Sequence, residues 1–217
     1  QRLYRQSGYL GKPLAAYLKM DFEQADYTPS FHQSSILVSS QQTLWADTPL
    51  RFNYASGRLA LASYESLQSY RSQFGESSQI FARYFQLGAK SGLAASKNQL
   101  LAWLADSIWL PKVALSGLVS WEEIDPQHLK ATVSDGALQV HGVFEFDADG
   151  LLTGFFTNET EGFDTEGEWG YLPWVVNLAD YNTQSGYFLP SSYTLSWVFP
   201  MGRYPYFTSQ DLQFHFE

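Results

Sequence analysis

One segment limits what this chain can fold into more than any other, namely the apolar stretch between residues 96 and 111. Ser96 followed by Gln99 is typical of a capping box at a helix start, and Pro111 should end the helix. The large apolar residues between them recur at helical spacing: Leu100, Leu101, Trp103, Leu104, Ile108 and Trp109. A helix with so little polar surface must be buried against a sheet. We therefore predict a long buried helix at about 96–111.

The chain after this helix has the pattern of an antiparallel meander. Asp135-Gly136 is a hairpin turn dipeptide, and Asp147-Ala148-Asp149-Gly150 is typical of a second turn. Apolar and polar residues alternate on both sides of these turns, as expected of strands with one buried face. The sequence therefore predicts three successive antiparallel strands in this region.

Elsewhere the pattern is less regular. Alternating or β-rich runs predict strands at 50–54, 59–64, 80–87, 193–199 and 212–216. The segment 11–29 fits either a short helix or a strand. We interpret the acidic segment from Asn158 to Trp169 as an exposed loop, and the stretch from Trp174 to Pro190 as irregular.

Size and composition allow one core. The chain has 217 residues, 45% of them hydrophobic, and no repeat, low-complexity tract or linker divides it. We expect a single β-rich domain over residues 1–217. Its fold class is α+β and mostly β, with a curved antiparallel sheet packed on the one long buried helix.

Charge and residue usage exclude several kinds of function. A formal net charge of −9, with scattered Lys and Arg, argues against a nucleic acid partner, which needs a cationic surface. The absence of cysteine excludes disulfides, thiolate metal sites and cysteine nucleophiles. No apolar run approaches the roughly 20 residues that span a bilayer. The chain opens with Gln1, which is compatible with a signal peptide or a membrane tether upstream of it.

Aromatic residues are the one compositional feature that points toward a ligand. Phe, Trp and Tyr make up 17% of the chain, which is more than a core requires. They could line an apolar cavity between the helix and the sheet, or they could fill that space as core, which is the default for such residues. The ligand-lining candidates are Trp103, Trp109, Trp121, Trp174 and Trp197.

Signals for catalysis or a bound metal are weak, and the catalytic residues stay unassigned. Asp106, Asp125 or Glu145 acting with a histidine would suit a hydrolase, provided that two of these groups share one cleft. Asp106 lies mid-helix among apolar residues, so we expect it either to be paired in the core or to face a polar groove, and we favour the pair. The four histidines lack metal-ligand spacing, and the turn at Asp147 lacks the distal ligands of a calcium loop. No cofactor and no metal are predicted.

Two blocks of the sequence form a fairly specific combination of motifs. The first runs from Asn98 to Pro111 and has the form (G/N)-(E/Q)-L-L-x-(Y/W)-L-A-(E/D)-x-x-W-x-P. The second runs from Val119-Ser120-Trp121 to Phe146-Asp147-Ala148-Asp149-Gly150. Together they resemble an uncharacterised bacterial domain-of-unknown-function family, the six-five-four-four type, best over residues 96 to 204. The chain departs from that family near Asn158 and Glu159, where members tend to carry a basic residue.

The resemblance implies a fold and a location but no activity, since the family has none that is agreed. It implies a half-barrel, a strongly curved antiparallel sheet around the helix, similar to lipoprotein-carrier half-barrels. Members are often exported or tethered, which favours a periplasmic or membrane-anchored location over a cytoplasmic one. We therefore expect a non-enzymatic domain of the cell envelope that binds an apolar or amphipathic ligand, such as a lipid, between sheet and helix. The alternatives are a carboxylate-dependent hydrolase and a subunit that acts through protein contacts.

Overall fold

A computed structural model describes residues 15–28, 36–59, 61–163, 166 and 168–217. Most of these residues are in strands, and two helices follow the sixth strand. The helices are α1 (Leu93–Ser107) and α2 (Pro111–Leu115). The strands are β1 (Tyr17–Tyr27), β2 (Ile36–Trp45), β3 (Leu50–Leu59), β4 (Ala62–Arg71), β5 (Phe74–Phe81), β6 (Phe85–Lys90), β7 (Val119–Asp125), β8 (His128–Asp135), β9 (Leu138–Phe146), β10 (Leu152–Thr157), β11 (Glu161–Phe163), β12 (Trp169–Tyr171), β13 (Trp174–Gln184), β14 (Tyr187–Phe199), β15 (Gly202–Ser209) and β16 (Leu212–Phe216).

All of these strands except β11 and β12 belong to one antiparallel sheet. Its hydrogen-bonded order is β6-β5-β4-β3-β2-β1-β15-β14-β13-β10-β9-β8-β7, and β16 also pairs with β1. Helix α1 packs against β4 and β5 and also against β9. Because eight strands separate β5 from β9 in this order, the sheet must curve around the helix to bring both onto it. The predicted fold class, a strongly curved antiparallel sheet packed on one long buried helix, is confirmed.

Helix α1 lies in the hollow of this sheet, as predicted. Its side chains Leu100, Trp103 and Leu104 have no exposed surface. The helix ends at Ser107, and Pro111 opens the short helix α2 after a turn. Proline suits that first helical position, because its missing N–H would have no partner there.

The helix begins earlier than its sequence pattern predicts. It starts after Gly92, whose φ of 91° is easily adopted only by glycine. The predicted capping box is wrong, because Ser96 and Gln99 lie inside the helix and bind other elements. Ser96 Oγ accepts a hydrogen bond from the Gly75 N–H (2.9 Å), and Gln99 Oε1 accepts one from Arg51 Nη1 (2.9 Å).

Strands β7 to β10 form the predicted meander. Gly136 adopts φ of 58° in the turn between β8 and β9, and Gly150 adopts φ of 86° in the next turn. Asp147 Oδ1 accepts a hydrogen bond from the Leu151 N–H (2.8 Å), which satisfies a backbone donor of that second turn. The local turn chemistry therefore gives the strand order that the sequence predicts.

Two strand predictions need correction. The run 80–87 is not one strand, because Ala82 and Arg83 adopt positive φ values of 51° and 67° and form a turn between β5 and β6. The stretch from 174 to 190 is regular rather than irregular, since β13 and β14 pair from Trp174↔Trp197 to Gln184↔Tyr187.

Two further segments are resolved by the structure. Segment 11–29 forms strand β1 from Tyr17 onward, while residues 11–14 and 29 lie outside the described residues. The acidic segment 158–169 is not only an exposed loop, because it contains β11, which pairs with β12.

Strand β1 joins two parts of the sheet that have no other strand pairing between them within the described residues. Strands β2 to β6 extend from one of its edges, and strands β13 to β15 followed by β7 to β10 extend from the other. On that second edge β1 pairs with β16 from Leu18↔Phe216 to Phe22↔Leu212, and with β15 from Ala25↔Ser209 onward.

The inner face of the sheet is polar beside the helix. In β3 the side chain of Arg51 is buried, whereas Phe52 and Tyr54 are 41% and 46% exposed on the outer face. The predicted alternation at 50–54 is confirmed, but its faces are the reverse of the usual arrangement, in which the bulky residues face the core.

Candidate functional site

A cavity of about 390 Å³ lies between α1 and the inner face of the sheet. That volume is within the range of small-molecule binding sites. The part of its lining from β2 to β5, which we call the polar wall, consists of Ser40, Gln42, Arg51, Asn53, Ser66, Gln68, Ser77 and Gln79, interrupted by Ala55. The part from β1 and β13 to β15, which we call the aromatic wall, includes Phe22, Tyr27, Trp174, Tyr193, Trp197, Tyr204, Tyr206 and Phe207.

A buried ion pair borders the cavity where the polar wall meets α1. Arg51 Nε lies 3.8 Å from Asp106 Oδ2, and the two side chains are 5% and 3% exposed. Gln42 bridges them, since its Oε1 accepts from Arg51 Nη2 and its Nε2 donates to Asp106 Oδ2. The Tyr193 hydroxyl donates to Asp106 Oδ1 (3.0 Å), and Arg51 Nη1 donates to Gln99 Oε1 (2.9 Å). The network compensates the buried charges and links β2, β3 and β14 to the helix.

Asp106 therefore satisfies both alternatives that its sequence position left open. It is paired in the core, and it also faces a polar cavity. Sequence reasoning predicted a partner but did not identify Arg51, Gln42 or Tyr193. The only signal for Arg51 was its place in an alternating strand, and alternation does not tell which face is inside.

Burial dominates the protonation of this network. It raises the pKa of the Asp106 carboxyl from 3.8 to about 6, although Arg51, Tyr193 and Gln42 act in the opposite direction. Burial also lowers the pKa of Arg51, and the Asp106 carboxylate opposes that change. At neutral pH the two side chains therefore form a charged pair.

Asp106 should make the protein less stable as the pH rises from about 4 to about 6. The folded carboxyl, with a pKa of about 6, holds its proton more tightly than the unfolded one at 3.8. Its contribution is therefore complete below the unfolded pKa and is lost as the pH rises through the folded pKa. We expect a change of roughly 2–3 kcal/mol. Urea unfolding across this range measures it, and the difference between wild type and D106N isolates Asp106. Equal pH dependence in both proteins would contradict the assignment.

The acidic segment contributes to the edge of the cavity. Asn98 of α1 holds it in place, because Asn98 Nδ2 donates to the Glu161 carbonyl (2.7 Å) and Asn98 Oδ1 accepts from the Glu161 N–H (3.0 Å). Thr160 also borders the cavity, and its buried Oγ1 has no hydrogen-bond partner among the described residues. Sequence reasoning missed this role, because charge runs are usually solvated.

The five tryptophans predicted to line a cavity fall into two groups. Trp174 and Trp197 border the cavity and are paired across β13 and β14. Trp103 and Trp109 do not border it, since they are fully buried in the core. Trp121 packs on a core phenylalanine away from the cavity. The structure thus brings two of the five candidates to the cavity.

The three candidate carboxylates do not share one cleft. Asp106 borders the cavity, whereas Asp125 lies at the turn after β7, 2.8 Å from His128 Nδ1. Glu145 lies opposite His128 on the neighbouring strand. Among the described residues that border the cavity there is no histidine; His32 lies outside the described residues. The described lining of the cavity therefore lacks the pair of catalytic groups that the hydrolase hypothesis requires, whereas Asp125 and His128 meet at an exposed turn outside that lining.

The acidic side chains near the cavity have basic side chains as partners. Glu159 Oε1 lies 2.8 Å from His141 Nδ1, and Glu161 Oε1 lies 3.9 Å from Lys97 Nζ. Within the described ranges, no group of three or more His, Asp or Glu side chains is arranged to hold a metal ion. Neither of the helices described above is long and apolar enough to cross a lipid bilayer.

Comparison with known proteins places the chain in a family. No curated protein sequence is similar to it. A crystal structure of a LolA superfamily protein from Nitrosomonas europaea is similar at 11% identity and a TM-score of 0.43, over 98% of this chain and 90% of that one. A putative outer membrane lipoprotein-sorting protein domain from Vibrio parahaemolyticus is similar at 13% identity and a TM-score of 0.42, over 92% and 84% of the two chains. A family of unknown function matches residues 1–209, a span that contains α1, the meander and all of the described cavity lining. The chain therefore belongs to that family, DUF6544, as its motifs predicted.

Proposed function

We propose that the protein binds one amphipathic small molecule, without catalysis, in the cavity between α1 and the sheet. The observation that carries this proposal is the composition of the cavity, in which an aromatic wall and a polar wall enclose one space of about 390 Å³. The proposed location, periplasmic or membrane-anchored, rests on the family resemblance alone.

The two walls together favour an amphipathic ligand over a wholly apolar one. A hydrocarbon would displace water from the amides of Asn53 and Gln68 without replacing its hydrogen bonds, at roughly 1–3 kcal/mol for each group left unpaired. A wholly polar ligand would leave Trp174 and Trp197 with no apolar surface to cover. A molecule with one polar and one apolar part satisfies both walls.

The alternatives have less support. A carboxylate-dependent hydrolase would need a second carboxylate or a histidine beside Asp106, and of these the described lining offers only Glu161, which is paired with Lys97. A protein-interaction subunit is favoured by one observation: Phe52, Tyr54 and Leu67 are 41%, 46% and 44% exposed on the outer face of β3 and β4. These residues lie on the face of the sheet opposite the cavity, so the two functions are compatible.

Small amphiphiles with an octyl chain test the proposal. We expect at least one of octyl β-glucoside, octanoate and octylphosphocholine, each kept below its micelle concentration, to bind with a stoichiometry of one by isothermal titration calorimetry. Ala102 of α1 borders the cavity, so A102W should fill it and weaken binding by about tenfold or more.

L115W is the matched control, because it adds the same side chain at an exposed position of α2 outside the cavity lining. It should bind as wild type does. Failure of all three amphiphiles to bind, or equal binding by A102W and wild type, would overturn the proposal.

A further inference from the structure

The polar wall is an ordered surface rather than a scatter of polar residues. Its side chains form two rows that cross four neighbouring strands in register. The first row follows the pairs Gln42↔Asn53, Asn53↔Gln68 and Gln68↔Ser77, and the second follows Ser40↔Ala55, Ala55↔Ser66 and Ser66↔Gln79. The eight residues of these two rows, which do not include Arg51, all border the cavity, and seven of them are polar but uncharged. A sheet face that packs on a helix is normally apolar, so these rows are unusual for a core.

Several side-chain donors along these rows and beside them are available to bind a ligand. Asn53 Oδ1 accepts from Ser40 Oγ (2.8 Å), and Gln68 Oε1 accepts from Arg51 Nη1 (3.4 Å). In the part of the chain that the structure describes, Asn53 Nδ2 and Gln68 Nε2 donate no hydrogen bond to protein. Each carries two donors, and the buried hydroxyl of Thr160 also lacks a partner there. The cavity therefore presents several donors and acceptors to one ligand.

The aromatic wall presents flat ring faces. The rings of Trp197 and Tyr206 are stacked, with centroids 5.4 Å apart and planes 19° apart. Trp174 Nε1 donates to the Tyr206 hydroxyl (2.9 Å), which fixes the position of that ring system. The electron-rich face of an aromatic ring attracts C–H groups with a small positive charge. Such a wall suits a ring whose face carries C–H bonds and whose edge carries polar groups.

The charges of the lining give no preference for an ion. Two cationic side chains, Arg51 and Lys90, and two anionic ones, Asp106 and Glu161, border the cavity, so their formal charges sum to zero. Arg51 is paired with Asp106, and Glu161 is paired with Lys97. The Lys90 ammonium lies over the ring of Trp169, 5.7 Å from its centroid. An anionic headgroup would find no unpaired arginine, and a cationic one would find no unpaired carboxylate among the described lining residues.

From these observations we infer that the polar part of the ligand is an uncharged, hydroxyl-rich ring, that is, a glycosyl group. Its hydroxyls bind the rows of the polar wall, and its C–H face lies on the aromatic wall. The inference rests on the proposed function, since it names the polar part of the amphipathic molecule proposed above.

The test compares headgroups on a constant tail. Octyl β-glucoside should bind wild type at least about tenfold more tightly than octanoate or octylphosphocholine in calorimetric titrations at monomeric concentrations. Equal or tighter binding of octanoate, which is anionic, or of octylphosphocholine, which is zwitterionic, would overturn the glycosyl inference while leaving the proposed function intact. Binding of none of the three would refute the proposed function itself.

A double variant and a single variant test the polar wall directly. N53L/Q68L removes both amides while keeping side chains of similar size, so the affinity for octyl β-glucoside should fall about tenfold to a hundredfold. Octanoate should lose less affinity than the glucoside in the same variant, because its single carboxylate makes fewer hydrogen bonds than the hydroxyls of a glycosyl ring. Q68M alone, a smaller change, should reduce glucoside affinity in the same direction if the double variant folds poorly. Unchanged glucoside affinity in a folded variant would overturn the inference.

Discussion

Replacing Arg51 with methionine is expected to lower the free energy of unfolding by about 3–5 kcal/mol at neutral pH, because it breaks a buried ion pair by removing one partner. Asp106 would keep its burial, at 2% exposed, but lose its counter-charge. The Oε1 atoms of Gln42 and Gln99 would also lose the donor that now binds them. Urea unfolding followed by circular dichroism measures this loss.

The loss caused by R51M should shrink as the pH falls toward about 6, because without Arg51, which lowers its pKa, Asp106 takes up a proton at a higher pH than in the wild type and no longer carries an uncompensated charge. R51M/D106L should be more stable than R51M at neutral pH, because it removes the uncompensated buried charge, but less stable than the wild type, because Gln42, Gln99 and Tyr193 lose their partners. K19M is the surface control: Lys19 lies 3.0 Å from Asp21 in a pair that is 30% and 22% exposed, and its loss should cost about 1 kcal/mol or less. A loss for R51M no larger than that for K19M would contradict the role assigned to the buried pair.

Trp103→Ala should lower the free energy of unfolding by about 3–5 kcal/mol, since it leaves a large void between α1 and the sheet. Trp103 has no exposed surface, and its Nε1 donates to the Trp45 carbonyl (3.3 Å). The matched control is Tyr84→Ala, which truncates an aromatic side chain that is 86% exposed. That control should change stability by no more than about 0.5 kcal/mol.

Both aromatic variants can be compared in one denaturation series with wild type. A similar small effect of W103A and Y84A would mean that the helix is not held in a packed core. Such a result would contradict the packing of α1 against the sheet.

The parts of the fold that the sequence predicts are those set by local chemistry. The helix follows from the spacing of residues such as Leu100 and Leu104, and the meander follows from turns at Gly136 and Gly150 that need positive φ. The pairing of β1 with β15 and β16 has no such local signal, because it depends on residues far apart in the chain. Long-range strand pairing is therefore the part of the topology that a single sequence leaves undetermined.

The candidate site shows the same limit more sharply. Ser96 and Gln99 have the spacing of a capping box, yet both bind partners in strands of the sheet. The local pattern therefore did not reveal their tertiary contacts. Alternation in β3 predicts a strand, but the ordinary preference would place Phe52 inside and Asn53 outside. The cavity exists because this preference is reversed, and only the neighbouring strands and the helix determine that reversal.

The position of β1 between the two parts of the sheet has a consequence for the order in which the molecule can assemble. The polar wall belongs to strands made early in synthesis, whereas most of the aromatic wall belongs to strands made late. The two walls meet only when β15 and β16 reach β1, across a loop closure of nearly the whole chain. Contacts of such high sequence separation form slowly. A nascent chain would therefore expose its aromatic strands and its uncovered amides until the last strands were released, and no binding site would exist before that moment.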